Sequence, residues 1–147
     1  MNNSGYGSQA VATPSTWYTW NDGGIEFAGA RLMIGKTPES IIGMIQMQGH
    51  ASTATNQGLI TNNTPLGKIK SITLSLGDSS SESYQYTPAF TVYGGTEANA
   101  LTTAITESGN KFNPTFDFSG GNFSHFTIKN DKTGALYISK ITVVYEK

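Results

Sequence analysis

Trp17 and Trp20 are the only tryptophans in the chain, and they fall in the run Trp17-Tyr-Thr-Trp20-Asn-Asp22. Sugar rings stack their C–H faces on indoles and phenols, while Asn, Asp and Gln bond the hydroxyls. Trp17, Tyr18, Trp20, Asn21 and Asp22 are therefore a candidate ligand-binding platform. If the segment is a strand, Tyr18 and Trp20 share one face and Trp17 takes the other. One set then belongs to a core, and at most half of the cluster remains as a platform. Tyr84 and Tyr86 share a face if extended and form a second candidate rim, beside the serine-rich run Gly77-Asp-Ser-Ser-Ser-Glu-Ser83.

Chemistry beyond binding has little to stand on. A glycoside hydrolase needs two carboxylates across a cleft, and the ten acidic residues are scattered, mostly in turns. Cysteine is absent, no Gly-x-Ser-x-Gly elbow occurs, and the only histidines are His50 and His125. The expectation is a chain that is not an enzyme. His50 falls in a loop, and His125, alternating with the core residue Phe126, is expected to face solvent. Two turns carry oxygen ligands of the kind calcium takes: Asn21-Asp22-Gly-Gly24 and Asn130-Asp131. Asp22 and Asp131 are thus the candidate Ca2+ ligands. Ordinary turn chemistry, in which Asn and Asp bond their own backbone, accounts for the same residues.

Composition narrows the partners. Charged residues make up 13% of the 147 positions, net charge is −1, and Arg31 is the only arginine. Phosphate backbones are bound by clusters of Lys and Arg, so no nucleic-acid partner is expected. No run approaches the length of a membrane span, so no membrane insertion is expected either. Polarity carried by Ser, Thr, Asn and Gly is usual in secreted or externally displayed β-proteins. The sequons at Asn2, Asn62 and Asn122 arise readily by chance in such a chain.

The elements that must position these residues are strands. No stretch keeps a 3.6-residue period over three turns. Ile69-Lys-Ser-Ile72-Thr-Leu-Ser-Leu76 and Ile138-Ser-Lys-Ile141-Thr-Val-Val-Tyr145 share one arrangement and look like two central strands. Each has apolar residues three apart, which cannot share a face of a regular strand. A β-bulge is expected at Lys70-Ser71 and at Ser139-Lys140. Further strands are expected at Ile25–Ile34, Ile41–Gln48, Gly58–Thr61, Ala89–Tyr93, Phe116–Phe118 and Phe123–Lys129, seven to nine in all. Ala98–Thr106 reads as helix or strand. Asn130-Asp-Lys-Thr-Gly134 reads as a hairpin joining the last two strands. The fold expected is all-β, an antiparallel β-sandwich or jelly roll. Residues 1–16 form an N-terminal tail or arm, and 17–147 a single sandwich domain. Ile72, Leu74, Phe90, Val92, Phe126, Ile128, Ile141 and Val143 are the expected core.

The order of five motifs resembles the galactose-binding, discoidin-like β-sandwich domains of secreted bacterial surface proteins. They are Gly67-Lys-Ile-Lys-Ser-Ile-Thr-Leu74, Phe90-Thr-Val-Tyr-Gly-Gly-Thr96, Phe116-Asp-Phe-Ser119, Phe126-Thr-Ile-Lys-Asn130 and Ala135-Leu-Tyr-Ile-Ser-Lys-Ile-Thr-Val143. The resemblance implies carbohydrate binding or adhesion at a cell surface, through loops at one end of the sandwich. Similar sandwiches occur in phage particles, which implies the alternative of an oligomeric virion structural protein whose partners are neighbouring subunits. Localisation follows the function: extracellular and cell-surface, or virion.

Overall fold

A computed structural model describes residues 17–35, 44–47, 57–76, 90–110, 112–131 and 136–147. Among them, twelve strands pair antiparallel in two six-stranded sheets. The strands are β1 (Tyr18–Asp22), β2 (Ile25–Ala30), β3 (Leu32–Gly35), β4 (Met44–Met47), β5 (Leu59–Asn62), β6 (Ile69–Leu76), β7 (Phe90–Gly95), β8 (Thr103–Ala104), β9 (Glu107–Asn110), β10 (Asn113–Asp117), β11 (His125–Asn130) and β12 (Leu136–Tyr145). The first sheet runs β1-β2-β5-β11-β7-β8 and the second β3-β4-β12-β6-β10-β9. The all-β sandwich expected from the sequence is the architecture found. It has more strands than the expected seven to nine, because several are short.

The two repeated segments are β6 and β12, and they pair with each other in the middle of the second sheet. Both expected bulges are present. Ile138 faces Leu76 and Lys140 faces Ser75, so Ser139 is the extra residue in β12. Val144 faces Ser71 and Tyr145 faces Ile69, so Lys70 is the extra residue in β6. The insertions let Ile69 and Ile72 reach the core together, both fully buried, as they do Leu136 and Ile138 ahead of Ile141. The Lys70 carbonyl freed by the bulge accepts the Phe118 N–H at 2.9 Å.

One apolar core lies between the sheets. Ile72, Leu74, Val92, Phe126 and Ile128 are buried as expected. Phe90, Ile141 and Val143 are partly buried and pack against that core. Phe90 meets Phe116 edge-on across the gap, with ring centroids 5.8 Å apart. Leu66, Phe116 and Phe118 complete the layer.

Three local expectations give way to the topology. Ile25–Ile34 is two strands, because Arg31 takes a left-handed backbone (φ 53) and turns the chain from one sheet to the other. Such a corner is a common way for strands to switch sheets. The link from Asn130 to the last strand is not a hairpin: β11 pairs with β5 and β7, and β12 with β4 and β6. Local turn residues announce a reversal without saying which sheet receives the next strand. In Ala98–Thr106 only Thr103–Ala104 is strand and none of it is helix. The tail 1–16 lies outside the described residues.

Two surface carboxylates have contacts that favour their charged forms. Asp117 is held below the usual carboxylate range by the Ser119 hydroxyl and then by the Ser119 N–H at 2.8 Å. Glu146 is lowered by its hydrogen bond to Lys70 at 2.7 Å and by that ammonium's charge. Both folded-state values lie below the unfolded ones, so the stabilisation is complete at neutral pH. It is lost as pH falls below about 4 toward the folded values. The urea midpoint is expected to drop over that range, and Asp117→Asn to make the drop shallower. An identical acid profile in the variant would count against the Ser119 contact.

Candidate functional site

The β1–β2 hairpin turns at Gly23 and Gly24, both at positive φ (61 and 83), which lets two residues close the reversal. Tyr18 then pairs with Gly29, Trp20 with Phe27 and Asp22 with Ile25. This register divides the aromatic cluster. Trp20 is buried and stacks on Phe27, with ring centroids 5.8 Å apart and planes at 21°. Tyr18 is half-buried on the same side of the strand. Asn21 and Asp22 are exposed at the turn, at the far end of β1 from Trp17.

Trp17 is half-buried and walls a groove of about 250 Å³ on the outer face of the first sheet. Thr19 and Ala28 follow it across β1 and β2, which pair at those two residues, and Thr61 continues the row on β5. The far wall is Ala98 and Asn99, and Asn63 closes one end. That wall comes from loop 96–102, which folds back over the sheet. The Thr61 hydroxyl donates to the Phe126 carbonyl at 2.8 Å and accepts the Asn99 N–H at 3.0 Å. Asn99 has a left-handed backbone (φ 59), which Asn tolerates better than most residues.

The groove is lined by one tryptophan, two asparagines, two threonines and two alanines. The Asn63 side chain donates to the Glu26 carboxylate at 2.8 Å, and the Asn63 N–H donates to the Glu26 carbonyl at 2.8 Å. One carboxamide N–H and the carboxamide oxygen of Asn63 remain for a ligand among the described residues. No residue of the lining titrates near neutral pH.

His125 departs from the sequence expectation. It alternates with Phe126 as expected, yet it is 6% exposed rather than solvent-facing. Thr61 and Thr127, on the same outer face, are buried with it. Alternation tells which face a residue takes; here the outer face is itself covered. The His125 Nδ1 lies 3.0 Å from the Ser124 hydroxyl.

The calcium candidates lie apart. Asp22 is at the hairpin end of the first sheet, and Asp131 follows β11 at the opposite end. Both Asp131 oxygens are engaged: Thr91 donates to one, while Gln57 (3.4 Å) and Lys129 (3.3 Å) approach the other. Among the described residues, no three His, Cys, Asp or Glu side chains gather as metal ligands. Tyr84, Tyr86 and His50 lie outside the described residues. Asn62 of the middle sequon is fully buried, its side chain bonded to backbone groups rather than to water.

Of the sequence candidates among the described residues, Trp17 alone lines this groove. Asn63 was legible only as part of the turn Asn62-Asn-Thr-Pro65, and Ala98 and Asn99 carry no local signal. No known protein family, curated protein or solved structure matches the chain.

Proposed function

We propose that the chain is a non-catalytic, externally displayed β-sandwich module that binds a glycan in the Trp17 groove. The observation carrying this reading is a groove lined by the half-buried Trp17 together with Asn63 and Asn99, with no titratable residue in its lining. An aromatic face with convergent amides suits a neutral ring bearing hydroxyls. Proton transfer or nucleophilic attack would need groups that this lining lacks.

Trp17→Ala is expected to weaken glycan binding by about thirtyfold, the scale of losing a central aromatic contact. Because Trp17 lies outside the main core, its unfolding midpoint should barely move. A glycan array followed by titration of the best ligand measures the first, and urea unfolding the second. Unchanged affinity in the variant would sink the assignment to this groove.

A second reading, a structural subunit of a virion or surface assembly, is favoured by the outer face of the second sheet. Thr142, Thr73, Thr115 and Ser108 stand in register across four strands. The Thr73 and Thr115 hydroxyls are 3.0 Å apart, and Ser75 donates to Asn113 at 3.1 Å. Val144 is 52% exposed beside them. A flat face with few charges docks on another surface at little desolvation cost. Particle size measured in the array buffer separates the two: oligomers without sugar binding support the assembly reading.

A further inference from the structure

A second groove, of about 330 Å³, opens on the other side of loop 96–102. Its floor is the bare backbone of Gly94 and Gly95 at the end of β7. Phe123 forms one wall, and close packing fixes that ring. A Cβ at Gly94 would lie 2.8 Å from it and one at Gly121 only 2.1 Å, so the glycines make the space the ring occupies. Phe118 meets Phe123 edge-on at 5.8 Å and holds it from behind. The rim carries Glu97, Asn122 and three threonines. The Glu97 carboxylate is exposed and makes no ion pair among the described residues.

The two grooves differ in one chemical respect. The Trp17 side has no ionisable residue in its lining, whereas this side has both Glu97 and Phe123 in its lining. A carboxylate only accepts hydrogen bonds at neutral pH, and an aromatic edge or face tolerates a sugar ring or a cation. We infer that this groove is a second sugar subsite selecting a residue with a free ammonium group. The ligand is then an oligosaccharide that crosses loop 96–102 and places an amino sugar against Glu97. The inference rests on the proposed glycan binding and names the class of glycan.

The test compares glucosamine oligomers with fully N-acetylated oligomers of the same length and linkage, at pH 6 and low salt. The wild-type chain is expected to bind the amine form about three- to fivefold more tightly, the scale of one exposed charge pair. The preference should shrink in 0.5 M salt, because exposed charges are screened. Glu97→Gln, an exposed substitution, should equalise the two ligands, and Trp17→Ala should weaken both alike. If the wild type binds both forms equally, or Glu97→Gln keeps the full preference, the inference is overturned while glycan binding stands. If the wild type binds neither oligomer, the inference fails, and the glycan array then decides separately whether the Trp17 groove takes any sugar.

Discussion

Deleting Ser139 is expected to destabilise the chain by about 3–6 kcal/mol, whereas Ser139→Ala should cost less than about 1 kcal/mol. Ser139 is the residue that β12 carries in excess of β6. Without it, a continuous ladder puts either Leu136 and Ile138 or the Ile141–Tyr145 stretch on the wrong face, because the side-chain period of a strand is two. Leu136 and Ile138 are 3% and 1% exposed, and β4 holds them in register through Met47 and Ile45. Losing the burial of two such side chains, at about 1.5–3 kcal/mol each, removes a large part of a typical stability of about 5–15 kcal/mol. The alanine variant keeps the extra residue and loses only an exposed hydrogen bond to the Ser75 carbonyl. Urea unfolding followed by circular dichroism distinguishes them. Equal stability of the deletion and the alanine variant would show that the bulge does not set the register.

Asn62→Leu is expected to cost about 3–5 kcal/mol although the two side chains branch at the same carbon. Asn62 is fully buried and ties its own turn to the start of β11 through three backbone groups. Its carboxamide nitrogen donates to the carbonyls of Thr64 (2.8 Å) and Ser124 (3.0 Å), and its oxygen accepts the Phe126 N–H at 2.8 Å. Leucine leaves all three backbone groups without that partner, at about 1–3 kcal/mol for each one kept from water. Asn62→Asp keeps the acceptor for Phe126 but turns a carboxylate toward two carbonyl oxygens, so it should be no better at neutral pH. A loss below about 1 kcal/mol for leucine would mean that water replaces these bonds. The same burial removes Asn62 from any role as a glycan acceptor in the folded chain.

The sequence by itself determined the all-β class, the two central strands, both bulges and most of the core. Each of these rests on a short-range period, and an apolar residue shifted by one position is visible within eight residues, as in Ile69–Leu76 and Ile138–Tyr145. It also split the Trp17–Trp20 cluster into two faces, which the β1–β2 register reproduces. Only the tertiary structure decided which face was used. Trp20 meets Phe27 inside the sandwich, while Trp17 gains a groove because β5 brings Thr61 and Asn63 alongside β2, and loop 96–102 returns over them. The contact that closes that groove joins Asn99 to Thr61, 38 positions apart. Alternation predicts the side a residue takes but not what lies on that side. For that reason His125 is buried where periodicity placed it toward water, and Asn130 leads to the other sheet where turn chemistry implied a hairpin.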